Sequence, residues 1–287
     1  MSFTLSLTAK SKVNKFITLF KYLKNICPDV MINVSDERFY IQGLCSAHVL
    51  MFELEISKDW FDEYDYSFVH QTNLGVNCEI LFKIINCISD GQKIKLEYFE
   101  RKLDKLTITL ENNTNKNQPE KKFELSLMDI DVEFLEVPEV DSDVELSISS
   151  DQIVQIINEL AQFGTDVKFI CNSNNINLES TGDGNKMDVQ IKDSDIESYA
   201  IVEDFVYDGT YSLKYLQNIT AFQKLNKKLD ILFIDENPAI FMYDLNDFDW
   251  KDDDIESEDE DGEEEETTKS KKSKNTIKFY LAPKIDD

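Results

Sequence analysis

Two histidines among 287 residues, His48 and His70, leave little material for a zinc site. The five cysteines (Cys27, Cys45, Cys78, Cys87 and Cys171) are odd in number and scattered, and none forms a CxxC pair. This argues against a disulfide framework and a metal clip, and for reduced thiols in an intracellular protein. No apolar run is long enough to cross a bilayer, and the opening MSFTLSLTAK lacks the core of a signal peptide. A soluble protein with no membrane partner is expected. Positive charge is also scarce: 30 Lys and Arg stand against 57 Asp and Glu, a net charge of −27. Twelve of those carboxylates crowd into 252–266, and the rest of the chain is still acidic. Charge alone therefore argues against a nucleic-acid binder and for solubility and basic partners.

A repeated plan fills the chain. Its length suits two domains, and hydrophobic residues at 41% supply their cores. Near the middle lies SLMDIDVEFLEVPEVDSD (126–143), where Val132, Leu135, Val137 and Val140 are interleaved with many carboxylates. No helical or strand period fits that mixture. Pro138 removes a backbone donor and biases Val137 towards extended conformations, so the stretch reads as an exposed connector. Four segments have helical spacing: Val13, Phe16, Ile17, Phe20 and Leu23; Leu81, Ile84, Ile85 and Ile88; Ile153, Ile156, Ile157 and Leu160; Tyr215, Leu216, Ile219 and Phe222. Each spans about three turns. Strand-like runs such as HVLMFELEIS, KLTITLE, NINLES and TIKFYLA follow them. Helix, then antiparallel strands, occurs four times, twice on each side of the connector. The fold class is α+β: two similar layered domains, 1–126 and 144–287, joined by 127–143, with helices side by side on one surface.

The helix faces opposite the apolar stripes hold Lys15, Lys21, Lys83 and Lys214, with Lys12, Lys24, Lys224, Lys227 and Lys228 close by. Carboxylates are nearly kept off these faces, Glu79 and Glu159 excepted. Lysine retained so selectively in an acidic chain points to a surface that touches phosphates. The stretch 247–275 interrupts a hairpin between PAIFMYDL and TIKFYLA, and its like charges are expected to keep it disordered. Its carboxylates lack the rigid scaffold and histidines of a hydrolase site, so no catalytic residue, metal or cofactor is expected.

LAPKIDD near the C-terminus, LMDIDVEFLEVPE in the connector, CSAHV at 45–49 and LGVN at 74–77 together resemble the eukaryotic-type DNA sliding clamp family, proliferating cell nuclear antigen. The resemblance covers nearly the whole chain outside the acidic insertion. It implies a homotrimeric ring of six DNA-clamp domains, with sheets outside and helices lining a hole around double-stranded DNA. It implies a polymerase processivity factor, not an enzyme, whose partners are DNA polymerase, a clamp loader and other proteins carrying clamp-binding peptides. Action in the nucleus is implied, or at a cytoplasmic replication site for a viral member. The family's inner lysines carry over to Lys15, Lys21, Lys83 and Lys214. Usually basic positions hold Asn14, Asn86, Asn158 and Ala221, with Lys12, Lys24, Lys224, Lys227 and Lys228 placed to compensate. The peptide pocket carries over to Leu44, His48, Val49 and Met51, to Leu135, Val137 and Pro138, and to Pro238, Tyr280, Leu281, Ala282, Pro283 and Lys284. Ring closure carries over to two edges, 106–111 (Leu106, Ile108, Leu110) and 187–192 (Val189, Ile191). The alternatives are a heteromeric checkpoint-type clamp subunit and a viral clamp-like factor adapted to transcription.

Overall fold

Apolar residues recurring every three or four positions fix the helices. In α1 (Lys10–Ile26) Val13, Phe16, Phe20 and Leu23 are buried. In α2 (Cys78–Ile85) Leu81 and Ile85 are buried, and Asn77 caps the first turn by accepting the Ile80 N–H at 3.0 Å. α3 (Ser150–Leu160) buries Ile153, Ile156, Ile157 and Leu160, and α4 (Leu213–Thr220) buries Leu213, Leu216 and Ile219. The uniform length expected of them does not hold: α1 has 17 residues, α2 and α4 eight each. A computed structural model describes residues 1–113, 118–131, 134–137, 140–246 and 275–284. The expectation about 247–275 therefore falls almost wholly outside the described residues.

Strands follow one order twice. β1 (Ser2–Leu7) precedes α1; β2 (Asp29–Val34), β3 (Arg38–Leu44), β4 (Leu50–Ser57), β5 (Glu63–Tyr66) and β6 (Thr72–Asn77) separate α1 from α2. β7 (Gln92–Phe99), β8 (Lys105–Asn112) and β9 (Lys121–Ser126) end the first half. In the second half β10 (Val144–Ser149) precedes α3, and β11 (Asp166–Asn172), β12 (Asn175–Gly182), β13 (Asn185–Lys192), β14 (Ser198–Ile201) and β15 (Tyr207–Ser212) precede α4. β16 (Lys228–Phe233), β17 (Ala239–Asp244) and β18 (Thr276–Leu281) complete it. Most strands alternate buried and partly exposed residues; in β4, Leu50, Phe52, Leu54 and Ile56 face the core.

The first half forms a sheet β5-β1-β7-β8-β9, and the second a sheet β13-β12-β11-β15. The remaining strands make one nine-stranded sheet, β14-β10-β16-β17-β18-β4-β3-β2-β6. That sheet contains a second copy of each smaller order, fused where β18 meets β4. Phe279 lies opposite Phe52 there, and Leu281 opposite Leu50. The repeats share details: Tyr64 Oη donates to Ser35 O at 2.8 Å, and its counterpart Tyr199 Oη donates to Asn172 O at 2.7 Å. The helices form a contiguous row. α2 packs on α1, α3 on α4, and α1 meets α4 and the turn after it across the two halves, with the Tyr22 ring 5.5 Å from that of Phe222 in that turn.

One expected edge is not an edge. Leu106, Ile108 and Leu110 lie in β8, paired on one side with β7 and on the other with β9, and all are fully buried. The sheet ends beyond β8 at β9, KKFELS, which the notion of an edge at 106–111 overlooked; β5 ends its other side. β13 does end its sheet, with Val189 half-buried and Ile191 buried.

Candidate nucleic-acid interface and partner groove

The helix row presents Asn14 and Lys21 from α1, Lys83 from α2, Gln155 and Asn158 from α3, and Lys214 from α4, all exposed. Among the described residues, Lys21, Lys24, Lys214 and Lys224 form no ion pair. Lys24 lies 5.1 Å from the Phe82 ring, and Lys21 5.0 Å from that of Tyr22, so their stems rest on aromatic surface. Lys83 pairs with Glu79 one turn earlier at 2.7 Å. An exposed pair of this kind is weak, and a phosphate can displace it. Lys12 is held more firmly: it pairs with Asp62 at 3.1 Å and lies 5.8 Å from the Trp60 ring. Burial pushes the Asp62 carboxyl up, but the N–H groups of Thr8 and Ala9 together with Lys12 outweigh it and hold the group below its ordinary value.

Lys15 is a correction. It is 9% exposed, and its ammonium donates to Leu245 O at 2.8 Å and Asn246 O at 3.2 Å. Those carbonyls follow β17. Trp60 Nε1 donates to Leu245 O at 3.3 Å, and Asn275 bridges Asn246 to the Ser57 N–H. Lys15 thus ties α1 to the end of the β17–β18 hairpin and is turned away from the exposed helix face.

The connector lies across the other side of the nine-stranded sheet. Its start is fixed by the Met128 N–H donating to Gly75 O at 2.9 Å. A Cβ on Gly75 would sit 2.1 Å from Met128 O, so this close backbone approach requires glycine. At the far end the Asp143 N–H donates to Phe233 O and Asp143 O accepts from Val202 N–H, both at 3.0 Å. Midway, Leu135 is half exposed at 52%, but its main chain is hydrogen-bonded to the Gln42 side chain.

Several of the residues expected to form the peptide pocket lie near one another on adjacent strands and the tail. Leu44 lies opposite Met51, which lies opposite Tyr280, putting three strands' outward side chains in a row. The tail is docked on both halves: the Ala282 N–H donates to Val49 O at 2.9 Å, the Lys284 N–H to Thr210 O at 2.8 Å, and Lys284 pairs with Asp166 at 2.6 Å. Pro283 and Val137 are half-buried, and Pro238 is exposed next to the Ala239–Leu281 pair. His48 is exposed in a turn closed by its N–H to Cys45 O, with φ 59°. Leu281 is the exception: it is 1% exposed in the core, so it anchors the tail and does not line the groove. Pro138 lies outside the described residues. Sequence reasoning missed Gly75 as a backbone contact and Gln42, Tyr40 and Glu53 as groove supports. Alternating polar residues on the outer faces of β3 and β4 were the signal. Among the described residues, no three His, Cys, Asp or Glu side chains converge as a metal site would need.

Two family profiles cover most of the chain: proliferating cell nuclear antigen, N-terminal domain, over residues 6–134, and proliferating cell nuclear antigen, C-terminal domain, over 136–252. The chain belongs to the proliferating cell nuclear antigen family. The two matches meet at Leu135, the residue that Gln42 grips, and the second stops before β18 although β18 completes the second repeat. The "Probable DNA polymerase sliding clamp 2" of Paramecium bursaria Chlorella virus 1 is 24% identical over 99% of this chain and 92% of its own length. The "Proliferating cell nuclear antigen" of Saccharomyces cerevisiae is 28% identical over 75% of this chain and 84% of its own. "Proliferating cell nuclear antigen 1" of Plasmodium falciparum is 26% identical over 94% and 93%. Two domains, four helices in a row and antiparallel sheets are thus the frame of a proliferating cell nuclear antigen relative.

Proposed function

We propose that this chain is a DNA sliding clamp, a non-enzymatic processivity factor that encircles duplex DNA as a homotrimer. Domains 1–126 and 144–287 are its two clamp domains, and the groove beside the connector takes peptides from polymerases, a clamp loader and repair enzymes. It acts where DNA is replicated, in a nucleus or at a viral replication site.

The junction of β18 with β4 inside one chain carries this reading. The counterpart of β18 in the first half is β9, and the counterpart of β4 in the second is β13; both are open edges. The contact that fuses the halves can therefore recur between copies, head to tail, and close a ring. Transferring the β18–β4 register puts Phe123 opposite Met187 of the partner subunit. It also puts Lys122 opposite Asp188 of the partner subunit and Glu124 opposite Lys186 of the partner subunit. Both charged pairs are of opposite sign, which favours this register and self-assembly over a heteromeric partner. A ring that encloses DNA does not depend on tight phosphate contacts. That fits an acidic chain with Lys21, Lys24 and Lys214 on its helix row.

End-blocking tests enclosure without a loader. The protein is cross-linked to a linear duplex with free ends and to the same duplex carrying biotin–streptavidin at both ends. A ring threads over free ends only, so the cross-linked product should fall to background on the blocked duplex. Equal product on both would contradict enclosure.

A further inference from the structure

Side chains on the outer face of a sheet are ordinarily wet, yet several on this face are not, three of them beside the connector and the tail. Tyr40 and Gln42 of β3 are 7% and 4% exposed, and Tyr280 of β18 is 9% exposed. The connector contributes to their cover: the Phe134 ring stands edge-on to Tyr40 with centroids 5.5 Å apart. Gln42 then holds the connector main chain in both directions. The Leu135 N–H donates to Gln42 Oε1 at 2.6 Å, and Gln42 Nε2 donates to Leu135 O at 2.9 Å. One amide side chain so reproduces the paired bonds of an antiparallel ladder.

The same amide continues inward. Gln42 Nε2 also donates to Tyr40 Oη at 3.3 Å, and Tyr40 Oη donates to Glu53 Oε1 at 2.9 Å. The other carboxylate oxygen, Glu53 Oε2, accepts from Tyr280 Oη at 3.1 Å. Burial first, then Glu53, pushes both phenols far above their ordinary value, so both stay donors. A continuous line of hydrogen bonds runs from the connector through β3 and β4 to the strand that carries the tail.

We propose that Gln42, Tyr40, Glu53 and Tyr280 form a latch that holds the connector at Leu135 and positions both walls of the partner groove. Gln42 is then a positioning residue that sets affinity for partner peptides. This rests on the groove reading above. Among the described residues, main-chain hydrogen bonds fix the connector near Met128, at Leu135 and at Asp143. Without the middle anchor, the span from Met128 to Asp143 must be ordered each time a peptide binds, and affinity falls by that cost.

Gln42→Leu keeps the volume and removes both bonds to Leu135. Hydrogen–deuterium exchange reads the fragment spanning 128–137. A labelled synthetic peptide with one Leu and two adjacent Phe, one helical turn apart, reads the groove. The expected result is faster exchange in that fragment and about tenfold weaker probe binding, with thermal midpoint and native mass unchanged. Tyr280→Phe, which leaves Gln42 in place, should move both readouts the same way by less. If Gln42→Leu fails to fold, Gln42→Glu gives the same readouts, since it keeps a polar side chain but cannot donate to Leu135 O. Unchanged exchange, or unchanged probe affinity beside a loosened connector, overturns the latch. A wild-type protein that ignores the probe would strike the groove reading instead, because exchange still reports the latch.

Discussion

Lys15 and Lys21 lie on one helix and meet opposite fates. Six residues turn a helix by about 600°, so the two side chains point about 120° apart. Lys21 is exposed, while Lys15 is buried against the carbonyls of Leu245 and Asn246. Removing the Lys15 ammonium strands buried acceptors, which costs about 1–3 kcal/mol. Lys15→Ala should therefore lower the thermal midpoint and leave DNA cross-linking unchanged. Lys21→Ala combined with Lys214→Ala should do the reverse; a midpoint unmoved by Lys15→Ala would contradict its assignment. Periodicity could place Lys15 on α1 but could not find its acceptors, which lie at the far end of the chain. A helical lysine in a basic-face pattern looks identical whether it meets phosphate or a carbonyl. Leu281 misled for a similar reason: the tail motif marks a docked segment without saying which of its side chains turn inward.

At the scale of the elements, the helices were legible because stripes such as Ile153, Ile156, Ile157 and Leu160 leave a strong period, and all four are buried. The strands with clean alternation, β4 and β12 among them, were legible for the same reason. β9 was not. KKFELS is short, with two lysines and a glutamate, the composition that protects an edge and also hides its alternation. The edge was therefore placed one strand inward, on the more apolar β8. Which edges pair is set by long-range register, visible only once β18 is seen against β4. Register transfer gives a sharp test: Lys122→Asp or Asp188→Lys alone should weaken self-association by placing like charges opposite each other, and the two together should restore it. Equal association in all three variants would rule out the transferred register.

For the whole molecule, a net charge of −27 and a ring around DNA are compatible only if charge is sorted by surface. Lys21, Lys24 and Lys214 lie on the helix row, and the acidic connector, with Asp129, Asp131 and Glu136 exposed, lies on the outer side. Enclosure, lysine placement and edge pairing all depend on closure by copies of this chain. Native mass by light scattering at micromolar concentration and moderate salt measures that directly. Three copies of a 33.3 kDa chain give about 100 kDa, the result expected for a self-closing ring. A stable species of 33.3 kDa would leave β9 and β13 unpaired and would contradict the homotrimer.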